Sequence, residues 1–188
     1  MPRPGEITLS HRGVLFLDEL PEFGHTILEA LRQPIEDKVV TISRAQATVS
    51  YATNFMLVGA MSPCPRGYFG DPLKECSCSP AQVSRYSKRI SGPMLDRIDI
   101  FVEVPRVDYE KLSAPFNGES SADVRRRAQA ARDIQQHRFS DTAILNNAEM
   151  GPNEVYQFCE VEDSAQSLIQ TAMQQMQLSA RAYHRILK

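Results

Sequence analysis

The sequence predicts an α/β domain followed by an all-helical domain. Two short runs, residues 13–17 and 55–61, are apolar throughout, which is typical of strands buried on both faces of a mostly parallel sheet. From about residue 120 onward, apolar residues recur at helical spacing instead. The segment 115–121, which contains Asn117 and Gly118, separates the two patterns.

The composition suits one ordinary soluble domain or two small ones, and we place two domains at 1–114 and 115–188. The chain has 188 residues, of which 42% are apolar and 23% charged, and its net charge is −2. It has no run of the ~18 to 20 apolar residues that span a bilayer, and no signal-peptide core follows Met1. We therefore expect a cytoplasmic protein with no membrane partner.

Residues 27–51 predict a helix and a hairpin between the two apolar strands. Apolar residues at helical spacing cover 27–35, and Pro34 should close this helix near its own position because proline has no N–H to donate. Residues 39–43 and 48–51 are β-prone and flank four residues, so they predict a hairpin with Arg44 in its tip.

The rest of the chain predicts one further strand and several helices. Residues 98–104 alternate toward their end and stop at Pro105, which predicts a third strand. Capping residues and apolar spacing predict helices over 80–90, 120–137, 153–159, 164–177 and 179–188. Residues 125–127 and Arg132 are basic and share one helix, where a solvated, salt-bridged face is favoured over contact with phosphates.

Four cysteines occur in the chain, and three of them are close in sequence. Cys64, Cys76 and Cys78 lie in a segment rich in proline and glycine, which predicts a loop. We expect reduced thiols, because the chain shows no secretion signal. Three thiols are one fewer than a closed structural zinc site requires, so the sequence leaves zinc binding open.

Two acids, Asp18 and Glu19, directly follow the first apolar run. At the carboxyl end of a parallel strand, such a pair can hold Mg²⁺ and orient a water molecule. The alternative is that acids simply mark the solvated end of a strand. The order of the residues that follow favours the first interpretation: Ser62 ends the second apolar run, Arg97 lies in an LDRID segment, and Arg181 lies at a helix start.

Three motifs together resemble the magnesium-chelatase-like AAA+ ATPases, and among them the ComM (YifB) competence-protein branch. They are GVLFLDELPEF at 13–23, ISGPMLDRID at 90–99 and SARAYHRILK at 179–188. The resemblance extends along nearly the whole chain. It implies a partial AAA+ P-loop NTPase core, from the Walker B strand onward, followed by a helical lid.

The resemblance also implies a role for each candidate residue. Asp18 and Glu19 resemble Walker B, with Asp18 ordering Mg²⁺ and Glu19 polarising the attacking water. Ser62 stands at the sensor 1 position and Arg181 at sensor 2, both beside the bound nucleotide. Arg97 resembles the arginine finger that reaches a neighbouring subunit's nucleotide, and an Arg suits this task because its planar fork stays charged. Taken singly, Arg97 could instead pair with a nearby aspartate, and Arg181 could be an exposed lid residue.

The chain departs from the family in three ways. It contains no G-x-x-x-x-G-K-[S/T], so we expect the P-loop of the Mg-ATP site to come from sequence outside these residues and the isolated chain not to bind ATP tightly. Ser62 replaces the usual Asn and has a shorter reach. Arg66 stands where the family's loop carries another cysteine, which weakens a zinc site. The chain therefore resembles the C-terminal part of such a protein, and we expect it to end within the sensor-2 helix of the lid.

The implied function is that of a homo-oligomeric ring, a hexamer, which couples ATP hydrolysis to DNA remodelling as a helicase in branch migration during natural transformation. The hairpin resembles the pre-sensor-1 hairpin of ring motors, which makes Arg44 a candidate DNA contact. Two alternatives stay open: a chelatase-like ATPase that acts on a protein partner, and a nonenzymatic remnant that binds a full-length ring.

The missing core elements predict an exposed sheet. Without them, the apolar faces of 13–17 and 55–61 would contact water, and we expect poor solubility or self-association unless another chain covers them.

Overall fold

The computed structural model describes residues 3–44, 47–107, 109–113 and 118–188, without the side chains of Arg44, Ala47 and Lys111. Contacts within the chain divide it into two compact units, Met1–Arg106 and Val107–Lys188. The described part of the first unit is α/β, and that of the second contains helices and turns only. None of the helices in these ranges combines the length and apolar character that a membrane crossing requires.

The first unit contains a parallel strand pair and a separate hairpin. In chain order its elements are α1 (Glu6–Leu9), β1 (Val14–Leu17), a 3₁₀ helix (Leu20–Phe23), α2 (His25–Ala30), α3 (Arg32–Asp37), β2 (Val39–Arg44), β3 (Ala47–Ala52), β4 (Met56–Gly59), α4 (Pro80–Ser87) and α5 (Gly92–Leu95). Strands β1 and β4 pair in parallel from Val14↔Met56 to Leu17↔Gly59, and β2 and β3 pair antiparallel. The predicted parallel pairing of the two apolar runs is therefore confirmed.

The two faces of the parallel pair have different environments. Leu15 is 8% exposed and packs in a core whose other buried members are Leu20, Leu28, Leu31, Ile90 and Met94. The opposite face carries Val14, Phe16, Met56 and Val58, all of them exposed. The prediction of burial on both faces is wrong for this chain, because helices cover one face only among the described residues. The predicted exposure of apolar sheet residues is confirmed.

The helix predicted over 27–35 forms as two short helices, and Pro34 does not end it. The chain bends at Leu31, whose N–H donates to Leu28 rather than to a residue four positions back. Pro34 then occupies the third position of α3, and α3 continues to Asp37. A first-turn residue has no intrahelical acceptor for its N–H, so proline costs no hydrogen bond there.

The hairpin is longer than the sequence predicts. Strands β2 and β3 extend to Arg44 and Ala47, which pair with each other, so the predicted four-residue tip is wrong. Residues 45–46 lie outside the described residues. Exposed hydroxyls hydrogen-bond across the strands, Thr41 with Ser50 at 2.8 Å and Ser43 with Thr48 at 3.1 Å, and these pairs favour the longer ladder.

The third predicted strand, residues 98–104, does not form. Ile100, Phe101, Val102 and Val104 are strongly exposed, and no strand pairs with them within the described ranges. A β-prone sequence becomes a strand only when a neighbouring strand accepts its hydrogen bonds.

The second unit is helical, as predicted. Its elements are α6 (Tyr109–Ser113), α7 (Ser121–Arg138), a 3₁₀ helix (Asn147–Glu149), α8 (Pro152–Phe158), α9 (Asp163–Gln175) and α10 (Ala180–Leu187). Ser120 and Ser179 cap α7 and α10 by accepting backbone N–H groups of the first turn. Phe139, Met150 and Val155 form the buried core. The rings of Phe139 and Phe158 pack edge to face, with 5.3 Å between their centroids.

Substitutions on the two faces of β1 should act differently. Phe16, which is 58% exposed, should tolerate Phe16→Ser with little loss of stability and less self-association, because an apolar contact surface is removed. Leu15→Ala should instead lower the free energy of unfolding by about 2 to 4 kcal/mol because it leaves a cavity in the core. Sedimentation velocity and urea unfolding of both variants test this. Unchanged self-association of the Phe16→Ser variant would contradict the assignment of the exposed face of β1 as the surface through which chains associate.

Candidate functional site

The carboxyl ends of β1 and β4 are joined by two backbone hydrogen bonds. The Ala60 N–H donates to Leu17 O at 3.0 Å, and the Leu20 N–H donates back to Ala60 O at 2.9 Å. Ala60 therefore bonds to the residues on both sides of the turn at Asp18 and Glu19. Ser62 lies two residues after Ala60. Asp18, Glu19 and Ser62 are all exposed at this edge of the sheet.

The backbone of Glu19 is left-handed, with φ +50° and ψ +48°. A non-glycine residue pays roughly 1 to 2 kcal/mol for this conformation. The Asp18 side chain offsets part of it, because its Oδ1 accepts the Glu19 N–H at 2.9 Å. The sharp turn sends Leu20 into the core while both carboxylates stay at the surface. It also brings Leu20 against Gly59, where an added Cβ would lie 3.0 Å from Leu20 Cδ2.

Tyr86 of α4 is buried beside this edge, although sequence reasoning did not single it out. Burial raises the pKa of the Tyr86 hydroxyl, as do the charges of Glu22 and Glu19, whereas Arg89 and the Ser62 backbone N–H lower it. Arg89 lies 5.6 Å from the Tyr86 ring and pairs with Glu22 at 2.5 Å. The Tyr86 hydroxyl thus interacts with the backbone of Ser62, after β4, and with the charges of Glu19 and Glu22, after β1.

The sequence does hold a signal for Tyr86. Val83, Tyr86 and Ile90 recur at helical spacing over the predicted helix 80–90, which marks one inward-facing side. The pattern identifies a packing residue, but not the segment it packs against.

Arg97 is held within the first unit rather than presented to solvent. Its Nη2 lies 2.6 Å from Glu36 Oε1 of α3, its Nη1 donates to the Pro93 carbonyl, and its side chain is only 8% exposed. Its Nε is buried without a hydrogen-bond partner among the described residues. Arg97 thus forms an ion pair, and its partner Glu36 lies in α3, far from Arg97 in the sequence.

Arg181 and Arg44 belong to other elements than the two parallel strands. Arg181 is exposed in the first turn of α10, in the second unit. Arg44 is the last residue of β2, and its side chain lies outside the described atoms. The structure therefore gathers Asp18, Glu19 and Ser62 at one edge, whereas Arg97 is held against α3.

The three clustered cysteines come together, with their Sγ atoms all within 4.8 Å of one another. Cys64 is fully buried, Cys76 and Cys78 are half-buried, and all are reduced. Cys64 Sγ and Cys76 Sγ are 3.6 Å apart, and the Cys78 N–H donates to Cys76 Sγ at 3.4 Å.

The cluster holds thiols of different acidity. Burial raises the pKa of Cys64, but backbone N–H groups, chiefly of Phe69 and Arg66, outweigh it and lower that pKa to about 7. Burial and the neighbouring thiols raise the pKa of Cys78. Thiolates bind soft metals, so this loop offers three zinc ligands and leaves a fourth position open.

Two arginines of the basic run on α7 are ion-paired. Arg126 pairs with Asp123, and Arg127 pairs with Glu119 at 2.7 Å. These contacts match the salt-bridged interpretation of the arginine run.

Comparisons with known proteins cover both units. The family model described as magnesium chelatase, subunit ChlI, matches residues 1–112, and its C-terminal model matches 118–188. The chain is 42% identical to competence protein ComM of Haemophilus influenzae, 42% identical to YifB of Escherichia coli and 39% identical to YifB of Salmonella typhimurium. Each match covers 100% of this chain but only 36% of the relative, so the chain spans about a third of the length of these curated relatives.

The ion pair of Arg97 should contribute to stability. Glu36→Gln should lower the free energy of unfolding by about 1 to 2 kcal/mol, because it leaves a nearly buried guanidinium without its carboxylate. Glu22→Gln is the matched control: its pair with Arg89 is exposed and should contribute about 0.5 kcal/mol or less. Urea unfolding of the two variants measures the difference, and equal losses would refute the distinction.

Proposed function

Because the chain belongs to the magnesium chelatase ChlI family, we propose that it is the C-terminal part of a Mg-ATP-hydrolysing AAA+ ATPase that remodels DNA. The observation that carries this proposal is the gathering of Asp18, Glu19 and Ser62 at the carboxyl edge of two parallel strands. Ligands of α/β proteins bind at this edge. The name of the relative ComM, a competence protein, supports DNA as the substrate.

In the proposed site, Asp18 orders Mg²⁺ and Glu19 polarises the attacking water. The donor set fits a hard cation: the Asp18 carboxylate is exposed, and only its Oδ1 is engaged, by the Glu19 N–H, among the described contacts. Glu19 is anchored by its left-handed backbone, which favours one orientation at the surface. The Ser62 hydroxyl would hydrogen-bond the water or the γ-phosphate over a shorter reach than an amide.

The phosphate-binding loop of the proposed site comes from sequence outside these 188 residues. Two features support a further strand in the first unit: β4 pairs only with β1 in the described sheet, and the β-prone residues 98–104 have no neighbouring strand there. A parallel strand leading into a P-loop would pair with both. We keep the proposed core at 1–114 and the helical lid at 115–188.

In the proposed ring, a hexamer, Arg97 acts on the nucleotide of a neighbouring subunit and Arg181 on that of its own. This role requires Arg97 to exchange Glu36 for a phosphate oxygen, since the guanidinium is enclosed in the single chain. We place the protein in the cytoplasm.

A chelatase-like ATPase acting on a protein partner is the second candidate function, supported by the family's own description. A nonenzymatic remnant that binds a full-length ring is the third. The presence of Asp18, Glu19, Arg97 and Arg181 together argues against the third. The thiol cluster extends the proposal to a zinc site of Cys64, Cys76 and Cys78, where three thiolates would hold the ion and stabilise the loop.

Glu19→Gln tests the proposed chemistry. In a protein long enough to include the P-loop, it should reduce ATP hydrolysis at least about 100-fold and leave ATP binding nearly unchanged, because it removes only the group that polarises water. Glu22→Gln, an exposed acid near the same edge, is the control and should retain activity. Hydrolysis by Glu19→Gln at the unsubstituted rate would contradict the assignment.

The isolated 188-residue chain tests the source of the P-loop. It should show no stoichiometric Mg-ATP binding by calorimetry, because no backbone N–H cradle or lysine holds the phosphates. Stoichiometric binding would contradict an external P-loop while leaving the role of Glu19 testable.

Arg44→Ala tests DNA as the substrate. Fluorescence anisotropy at several salt concentrations should show about threefold to tenfold weaker binding and a salt slope smaller by about 1, because one phosphate contact is lost. Arg126→Ala is the control, since Arg126 is paired with Asp123. DNA binding that is absent, or equally weakened in both variants, would favour the protein-partner alternative.

A further inference from the structure

We propose that the thiol cluster is a site of reversible oxidation, in which hydrogen peroxide converts Cys64 and Cys76 into a disulfide. The two Sγ atoms are already 3.6 Å apart, at van der Waals contact. A disulfide requires about 2.05 Å, so the sulfurs must approach by roughly 1.5 Å. This modification does not depend on the proposed ATPase activity.

The loop that carries the cluster can supply this movement. Cys64 and Cys76 follow β4 and precede α4, so neither belongs to a strand or helix that would have to shift. Between them, Gly67 and Gly70 have φ of +79° and +83°, a region that glycine adopts without strain. Closure therefore involves side-chain rotation and a small loop adjustment, and the sheet remains intact.

The burial of the thiols determines the order of the steps. Cys64 is fully enclosed, whereas Cys76 is partly exposed, so peroxide reaches Cys76 first. The Cys76 sulfur attacks one peroxide oxygen, the O–O bond breaks, and a sulfenic acid and one water form. The Cys64 sulfur then attacks the Cys76 sulfur and displaces a second water. Two thiols and one peroxide thus yield one disulfide and two waters.

Cys78 remains as a third thiol beside the new disulfide, because its Sγ lies within 4.8 Å of both other sulfurs. An added dithiol reverses the oxidation by thiol–disulfide exchange: one thiol of dithiothreitol attacks the Cys64–Cys76 bond, its second thiol releases the remaining cysteine, and the reagent leaves as its own cyclic disulfide. Metal binding and oxidation use the same sulfurs, so the two states exclude each other.

The disulfide would also constrain the edge of the sheet. Ser62 stands two residues before Cys64, in the segment that leaves β4. Asp71 lies in the loop that the Cys64–Cys76 disulfide would close. Its Oδ2 pairs with Arg106 Nη1 at 3.5 Å, and its Oδ1 accepts the Leu73 N–H at 2.8 Å. Any effect of oxidation on the proposed nucleotide site would act through Ser62.

Peptide mapping of the chain itself tests the proposal. The protein is freed of metal with a chelator, treated with one equivalent of hydrogen peroxide, alkylated and cut with trypsin, which cleaves after Arg66 and Lys74. We expect peptide 45–66 linked to peptide 75–85, a fall from four free thiols to two, and full reversal by dithiothreitol. Peptide 75–85 carries both Cys76 and Cys78, so fragmentation of the linked pair by tandem mass spectrometry assigns the bond to Cys76 in the wild-type protein, and a variant that fails to fold does not prevent the test.

Two variants identify the partner. Cys78→Ser should still give the linked peptides, because Cys64 and Cys76 remain. Cys159→Ser is the matched control in the second unit and should leave the linkage unchanged. The proposal is overturned if peptides 45–66 and 75–85 stay unlinked while a sulfenic acid is trapped on Cys76, or if Cys78→Ser abolishes the linkage.

Discussion

The parallel pairing of β1 with β4 is the constraint on which the rest of the first unit depends. It fixes the hydrogen bonds among Leu17, Ala60 and Leu20, and these determine where the chain turns after each strand. The turn at Glu19 buries Leu20 and leaves two carboxylates at the surface. Ser62 and, two residues later, the buried Cys64 follow from the same edge. The acidic pair and the thiol loop are thus both positioned by one short strand pair.

The sheet of the first unit has one face covered by helices and one apolar face exposed to water, which is unusual in a stable protein. Leu15, Leu28 and Met94 form a core on one side, whereas Val14 and Phe16 contact water on the other. Exposed apolar residues arranged in this continuous way mark a surface that another element covers. Residues 98–104 have the same property, since no neighbouring strand accompanies their strand-forming sequence in the described part of the unit. Both features are consistent with relatives about three times as long as this chain.

Local patterns predicted most of the elements, and long-range contacts account for the rest. The apolar runs at 13–17 and 55–61 and the capped helices of the second unit followed from spacing and from Ser120 and Ser179. The strand at 98–104 failed because pairing depends on a partner that the local sequence does not reveal.

The same distinction applies to the candidate site. Asp18 and Glu19 are predicted as site residues because they follow the first apolar run, and Ser62 because it ends the second. The burial of Tyr86 beside them, the left-handed turn at Glu19 and the partner of Arg97 arise from tertiary packing, which a linear pattern does not encode.

The enclosure of Arg97 sets an energetic condition on the proposed trans-acting role. The guanidinium pairs with Glu36 through Nη2 and donates to the Pro93 carbonyl through Nη1, but its Nε has no hydrogen-bond partner among the described residues. Glu36 is itself 41% exposed, so water screens the pair more than a fully buried one. A phosphate group carries more charge than a carboxylate and offers several acceptor oxygens, and at a subunit interface it would meet the guanidinium with less water present. In the single chain Glu36 keeps the guanidinium paired, so the proposed role requires a neighbouring phosphate to compete with Glu36 for Arg97.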